Sequence, residues 1–199
     1  MIKSISPLGP LAMRLLIVGL CVIQTFTIIY ISKIFSKLDS TATKVDLILS
    51  IDNAKPTSDI EKNISKLKPN LDKQVVKLIS ESILKYSTKF KLPPNLIIAI
   101  INRESKFEIT ARNKSGAEGL MQIMTKVHQN KIKKLGITSK EVFYIDNNIH
   151  LGCWILREYY NKSKSMYLAL KRYVGGEHPE YIKNIFTTYI NFDMQGEVK

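Results

Sequence analysis

The feature that most constrains this chain is an uncharged, apolar run near its N-terminus. Residues 15–31 contain no charged side chain, and the run is bounded by Arg14 and Lys33. At about 1.5 Å per residue, a helix of this length covers roughly 26 Å, which is close to the thickness of the hydrocarbon layer of a membrane. We therefore predict a transmembrane anchor over residues 15–32, preceded by a short N-terminal segment, residues 1–14.

A cleaved signal peptide is the alternative interpretation of this run. The run is long for the apolar part of a signal peptide, and no cleavage site of small residues follows it. Cys21 follows Leu20, which is large, whereas a lipoprotein cleavage site requires a small residue before the cysteine. The basic residues on the two sides of the run are nearly balanced, so charge does not give its orientation.

A polar linker and a helical domain are predicted to follow the anchor. Residues 33–70 are polar with a low density of apolar side chains, which indicates a tether that is helical only in part. From Leu71 onward, apolar side chains recur at helical spacing, and Asn70 is a candidate helix cap. We predict a mostly α domain over residues 71–190 and a frayed tail over residues 191–199.

The charge of the chain favours anionic partners. It has 30 Lys and Arg residues against 17 Asp and Glu, a formal net charge of +13. Nucleic acid, anionic lipid and an anionic cell-wall polymer all suit such a charge, but the sequence has no nucleic-acid recognition motif, so we expect no nucleic-acid partner. The three histidines show no paired spacing typical of zinc ligands, and we expect neither a metal site nor a cofactor.

Glu104 is the candidate catalytic residue. It ends an apolar segment that begins near Pro94, and helical spacing places it on the same face as Ile97 and Ile100. A carboxyl group on an apolar face loses hydration, which raises its pKa towards the value that a general acid needs near neutral pH. From spacing alone, a solvated glutamate paired with Arg103 at a helix end is the alternative.

Three motifs extend from Glu104 towards the C-terminus. They read Glu104-Ser105-x-Phe107, Gly116-Ala117-x-Gly119-Leu120-Met121-Gln122 and Ala169-Leu170-x-x-Tyr173-x-Gly175-Gly176. In their order and spacing they resemble the catalytic domain of soluble-type lytic transglycosylases, which is related to goose-type lysozyme. The resemblance covers residues 83–190 and implies a lysozyme-like, all-helical catalytic domain.

The resemblance also implies a mechanism and a set of site residues. Glu104 would protonate the glycosidic bond between N-acetylmuramic acid (MurNAc) and N-acetylglucosamine (GlcNAc). As a carboxylate it would then deprotonate the muramic C6 hydroxyl, which leaves a 1,6-anhydroMurNAc end. Tyr173 would hydrogen-bond and orient the acid. The residues expected to bind substrate are Ser105, Asn113, Gly119, Met121 and Gln122.

A single carboxyl group suffices for this mechanism, since the acetamido group of the substrate would assist at the anomeric carbon. The other nearby acids, which we expect to be solvated at the surface, are Glu108, Glu118, Glu141 and Asp146. The sequence departs from the family pattern at two positions. Val174, which cannot hydrogen-bond, stands where the family has Asn, and Asn113 stands where the family often has Ser.

The sequence as a whole predicts a single-pass inner-membrane enzyme whose catalytic domain faces the periplasm and cleaves peptidoglycan glycan strands. A lysozyme-type hydrolase of the same bond is one alternative. A non-catalytic, wall-binding scaffold protein is another, and Val174 leaves room for it. An envelope-spanning machine would be a further partner, while the cellular process that uses the cutting is left open.

Overall fold

The structure is a computed structural model that describes residues 57–193. The predicted anchor, residues 15–32, and the first part of the predicted linker lie outside the described residues. Within residues 57–193, no helix is both long enough and apolar enough to cross a membrane.

The described part of the chain is mostly helical, as predicted. Its elements are α1 (Thr57–Leu67), α2 (Lys73–Phe90), α3 (Pro94–Glu104), β1 (Ala117–Glu118), β2 (Ile123–Met124), α4 (Gln129–Leu135), a 3₁₀ turn (Lys140–Phe143), α5 (Ile145–Ser163), α6 (Met166–Val174) and α7 (Pro179–Asp193). Helix α7 continues past the predicted end of the domain at residue 190.

The most deeply buried element is α3, and three other helices pack against it. It begins at Pro94, as predicted, because a proline at the first helical position gives up no hydrogen bond. Every residue from Pro94 to Ile101 is buried, and α1, α2 and α7 all contact this helix. An apolar helix of this kind is stable only when it is surrounded by others, and its last residue, Glu104, is carried to the edge of the core.

The predicted linker ends earlier than expected, because residues 57–67 form α1 and belong to the domain. Ile60 and Ile64, one helical turn apart, are fully buried, and the side-chain amide of Asn63 donates a hydrogen bond of 3.0 Å to Asn95 Oδ1 in α3. Two isoleucines at this spacing suffice to dock a short helix, although they leave the overall apolar density of the segment low.

Two local predictions are wrong. The cap of α2 is Asp72 and not Asn70, since the Asp72 carboxylate accepts hydrogen bonds from the backbone N–H groups of Gln74 (2.8 Å) and Val75 (3.1 Å). The expectation of an all-helical domain is wrong at one place, where β1 and β2 pair antiparallel in a hairpin across the turn at Gly119. Strands of two residues are too short to show an alternation in the sequence.

Candidate active site

Glu104 lies at the C-terminal end of α3, where the buried helix meets the surface. Glu104 is half-buried. Ser105 ends the helix, and its backbone N–H donates a hydrogen bond of 3.0 Å to the carbonyl oxygen of Ile101. The Ser105 hydroxyl donates to the same carbonyl at 3.2 Å. The predicted binding residue Ser105 therefore has its hydroxyl engaged by the helix end.

The environment of Glu104 makes its carboxyl group a proton donor near neutral pH. Burial raises the pKa of Glu104 from 4.5 to about 6, and it outweighs two opposing effects. The hydrogen bond from Tyr181 and the positive charge of Arg103 each lower this pKa. The sequence-based expectation of a raised pKa is confirmed, and the cause is the expected loss of hydration.

The phenol that contacts the acid comes from α7. The Tyr181 hydroxyl donates a hydrogen bond to Glu104 Oε1 across 77 residues of sequence, where α7 packs on α3. Burial, and after it the negative charge of Glu104, raises the pKa of Tyr181 far above its usual range, so the hydroxyl stays protonated and remains a donor. Tyr181 is the site residue that the analysis of the sequence missed, although it begins a Tyr-Ile pair in the first turn of α7.

Tyr173 has a different partner from the one predicted. Its hydroxyl donates to the carbonyl oxygen of Met121 at 2.8 Å, so the hydrogen bond assigned to it from the sequence belongs to Tyr181. Burial raises the pKa of Tyr173 well above 10.0, and the nearby charge of Glu104 adds to the effect. Tyr173 thus lies in the same site, but its hydroxyl binds the carbonyl of Met121 and so holds the β1–β2 hairpin in place.

A strained turn follows the acid directly. Lys106 and Phe107 both have left-handed backbone conformations, with φ of 51° and 64°, although neither is a glycine. Such a conformation costs an L-residue roughly 1–2 kcal/mol. Phe107 is 2 % exposed, and its packing in the core holds the turn in place. Two consecutive residues of this kind beside a candidate catalytic group are typical of strain kept at a functional site.

The segment from Ala111 to Met124 contains the second motif and forms a glycine-bearing turn. Gly119 has a φ of 76°, and its backbone N–H donates to the carbonyl of Ala111 at 2.8 Å. The side-chain amide of Gln122 donates to the carbonyl oxygens of Ala111 (3.2 Å) and Gly119 (3.1 Å). Two predicted binding residues, Gly119 and Gln122, therefore meet in one turn, and Gln122 holds the turn closed from within.

Asn148 joins this hairpin to α5. Its Oδ1 accepts from the backbone N–H of Met121 at 2.7 Å, and its Nδ2 donates to the carbonyls of Glu118 (3.0 Å) and Val142 (2.9 Å). A Cβ atom on Gly119 would lie 2.2 Å from Asn148 Nδ2, so only glycine fits there. These bonds give Asn148 a structural role, and Met121, which was predicted to bind substrate, is fully buried rather than open to a ligand.

Asn113 is the one predicted binding residue whose side chain stands at an exposed turn. Its Oδ1 accepts from the backbone N–H of Ala117 at 3.0 Å, while the residue as a whole is exposed. The Nδ2 donor is the atom of this side chain that a ligand would meet, because the oxygen is used to close the turn.

Glu118 is not a solvated surface acid, contrary to expectation. It is 7 % exposed, and its Oε1 lies 2.5 Å from a guanidinium nitrogen of Arg112. Arg112, which faces Glu118 in an isolated β-bridge, satisfies one oxygen of this buried carboxylate, while Oε2 has no hydrogen-bond partner among the described residues.

The remaining nearby acids are unlike Glu104. Glu108 is exposed, and its pKa is lowered by hydrogen bonds from Thr110. The pKa of Glu141 is lowered in the same way by Thr138. Burial alone would raise the pKa of Asp146, but hydrogen bonds from its neighbours bring it below the usual value. These three acids are carboxylates at neutral pH, so Glu104 is the candidate general acid.

Two further observations concern a cavity away from Glu104 and the possibility of a metal site. A cavity of about 570 Å³ lies between α2 and the start of α5, with Leu78, Ile109 and Tyr144 among its walls, and Glu104 does not line it. Within residues 57–193, no three His, Cys, Asp or Glu side chains are grouped so that they could hold a metal ion.

Comparison with known families identifies this arrangement. The family model described as the transglycosylase SLT domain matches residues 81–185, which is more than half of the chain. The chain belongs to the transglycosylase SLT domain family. The matched range includes Glu104, the hairpin and both tyrosines, so the site described above lies wholly within the SLT domain.

One solved structure supports the fold of the SLT domain, and a second is a weaker match. An inactive mutant of the lytic transglycosylase Slt from Pseudomonas aeruginosa matches with a TM-score of 0.52 and 21 % identity, covering 58 % of this chain and 24 % of that one. The 70 kDa soluble lytic transglycosylase Slt70 from Escherichia coli matches with a TM-score of 0.46 and 17 % identity, covering 66 % and 23 %. The present chain thus spans about a quarter of the length of these structures. No curated protein sequence matches it significantly.

Proposed function

We propose that this SLT-domain protein is a lytic transglycosylase that cleaves the β-1,4 bond between MurNAc and GlcNAc in peptidoglycan. The observation that supports the proposal best is the state of Glu104. A carboxyl group with a pKa of about 6 and a phenol donor on one oxygen is protonated in part at neutral pH. This is the property that a general acid for glycosidic cleavage requires.

One carboxyl group carries both proton transfers in the proposed reaction. Glu104 gives its proton to the glycosidic oxygen as the bond from that oxygen to the muramic anomeric carbon breaks. The resulting carboxylate takes a proton from the C6 hydroxyl of the same MurNAc, whose oxygen bonds to the anomeric carbon. No water is consumed, and Glu104 ends the cycle protonated. The hydrogen bond from Tyr181 stabilises the carboxylate between the two transfers.

Product chemistry tests the proposal. The full 199-residue chain, kept in mild detergent, is incubated with purified sacculi, and the released muropeptides are analysed by mass spectrometry. We expect anhydro-muropeptides from the wild type and from Glu108→Gln, whose exposed side chain lies outside the site, and none from Glu104→Gln.

Other products would replace the proposal by one of its rivals. Reducing ends in place of anhydro ends would identify a lysozyme-type hydrolase that uses the same acid. If the wild type and Glu104→Gln both bind sacculi and neither releases product, the chain is a wall-binding scaffold protein, and Val174 is the first position to examine.

We also propose that residues 15–32 anchor the enzyme in the inner membrane with the SLT domain in the periplasm. The uncharged run and the location of peptidoglycan support this, and the basic surface of the domain suits an anionic wall. Carbonate extraction of membranes should leave the full chain in the pellet. A protease added to spheroplasts should degrade the domain; protection of the domain in intact spheroplasts would contradict this orientation.

A membrane-anchored enzyme of this kind would open the wall close to the inner membrane. Assembly of an envelope-spanning machine needs such an opening, so we propose a machine of this class as the partner. Cross-linking in cells followed by purification of the chain should recover inner-membrane components of the machine. Recovery of peptidoglycan alone would argue against a dedicated partner.

A further inference from the structure

Arg103 lies beside Glu104 and Tyr181, the two residues that carry the proposed chemistry. It precedes Glu104 in α3, and the carbon of its guanidinium group lies 5.0 Å from the centre of the Tyr181 ring. The hydroxyl at the other end of that ring donates to Glu104 Oε1. Arg103 itself is exposed and makes no ion pair that the structure records among the described residues. Its contact with the Tyr181 ring is thus the interaction that places its side chain.

The position of Tyr181 in its helix explains why such a contact matters. It lies in the first turn of α7, which follows Gly175 and Gly176, with φ of 89° and 154°. A helix start after two glycines has few backbone hydrogen bonds to hold it, and the first turn of a helix frays readily. Helix α3, in contrast, is buried along most of its length. A cation at the end of α3 that stacks on the ring adds a contact between the two helices at the position of Tyr181 itself.

We infer that Arg103 is a positioning residue, whose guanidinium group holds the Tyr181 ring so that its hydroxyl stays on the carboxyl of Glu104. This inference rests on the proposed function and names a residue that acts through Tyr181 on the same acid. A planar guanidinium group can stack on an aromatic face, whereas a lysine ammonium group is a compact, strongly hydrated charge. The inference therefore distinguishes arginine from lysine at this position.

The charge of Arg103 has a second effect, which can be separated from the first. The charged and titratable groups that act on Glu104 are Arg103 from its own helix, Tyr181 from α7 and Tyr173 from α6. The positive charge of Arg103 lowers the pKa of Glu104, and so does the hydrogen bond from Tyr181. Loss of Arg103 therefore raises this pKa, and the pH at which the acid loses its proton moves upward.

Four forms of the full chain test the inference in a muropeptide-release assay across pH 4.5 to 8. Arg103→Met should lower kcat about fivefold with little change in KM, since a positioning residue does not bind substrate. The fall of kcat on the alkaline side of its pH profile, here called the alkaline limb, should move to higher pH. Arg103→Lys should also lower kcat, but it should move the limb upward by less than Arg103→Met does, because the charge is kept while the hydrogen bond from Tyr181 to Glu104 is weakened. Arg172→Met is the matched control, since Arg172 lies 5.0 Å from the Tyr159 ring, and it should resemble the wild type.

A double substitution shows whether Arg103 acts through Tyr181. In a Tyr181→Phe background the ring is present but the hydroxyl is absent, so adding Arg103→Met should lower kcat by less than twofold. An undiminished fivefold loss in that background would overturn the inference. So would an Arg103→Met enzyme whose kcat and pH profile match those of Arg172→Met.

A measurement without substrate separates this inference from the proposed function. The ¹³C resonance of the Glu104 carboxyl group, assigned by its loss in Glu104→Gln, is titrated in the wild type, Arg103→Met and Arg172→Met. The midpoint should rise in Arg103→Met alone. If the wild type releases no anhydro-muropeptides, the proposed function fails. A midpoint that still rises would keep the influence of Arg103 on the carboxyl group of Glu104, and one that does not rise would overturn the inference.

Discussion

Replacing Glu104 by glutamine should stabilise the protein, and the gain should depend on pH. The carboxyl group has a pKa of about 6 in the folded protein and 4.5 as its reference value. Each unit of difference corresponds to about 1.4 kcal/mol, so the folded state is penalised by up to roughly 2 kcal/mol when the group is ionised in both states. Glutamine has a similar shape, cannot ionise, and can still accept the hydrogen bond from Tyr181.

The sign of the effect follows from the raised pKa. Below pH 4.5, Glu104 is protonated in the folded and unfolded states, and the wild type loses nothing relative to glutamine. As pH rises from 4.5 through about 6, the unfolded chain releases its proton first, and the wild type loses stability. The free energy of unfolding of Glu104→Gln should therefore exceed that of the wild type by an amount that grows over this interval and is constant above it.

Urea unfolding at pH 4, 5, 6 and 7 measures the difference. Trp154, the single tryptophan of the chain, lies half-buried in α5 and reports on the SLT domain. Groups other than Glu104 titrate alike in both proteins and cancel. Glu108→Gln is the control of opposite sign, since the pKa of Glu108 is lowered and its loss should reduce stability at neutral pH. A difference between Glu104→Gln and the wild type that does not change from pH 4 to 7 would refute the reasoning.

Three further substitutions test the support of the site, each by urea unfolding together with the activity assay. Phe107→Ala removes a fully buried ring that holds the strained turn, and it should cost about 3–5 kcal/mol and abolish activity. Lys106→Gly relieves a φ of 51° at an exposed position and should gain about 1 kcal/mol; a loss would show that the conformation is not strained. Gly152→Ala would gain about 1 kcal/mol from helix propensity, but its Cβ would lie 2.3 Å from the sulfur of the buried Met121. We expect the clash to dominate, with a net loss of about 1–3 kcal/mol.

The helical core was predictable because its elements carry strong local signals. The apolar spacing in α2 and the proline at the start of α3 are properties of neighbouring residues, and both predictions are confirmed. Helical spacing placed Glu104 on an apolar face but left a solvated glutamate paired with Arg103 as the alternative, and the burial that raises its pKa decides between the two. The anchor over residues 15–32 rests on a similarly local signal and stays a prediction.

The errors arose where a short segment depends on distant partners. Helix α1 has only a few apolar residues, and its place in the core depends on α2 and α3, which its own sequence does not reveal. Glu118 looks like a surface acid until Arg112 faces it across a strand that is too short to recognise. In both cases the deciding interaction is tertiary, and it overrides a weak local preference.

The exchange between Tyr173 and Tyr181 is the most consequential of these differences. Both phenols come from the C-terminal helices and approach Glu104, so a resemblance between motifs selects the correct region without deciding which hydroxyl reaches the acid. The backbone carbonyl of Met121 decides which hydroxyl it is, because it accepts the hydrogen bond from Tyr173 and leaves Glu104 to Tyr181. A motif lists side chains, so it does not reveal a backbone acceptor. Tyr173→Phe should therefore loosen the hairpin and change substrate binding, whereas Tyr181→Phe should shift the pH profile of the acid itself.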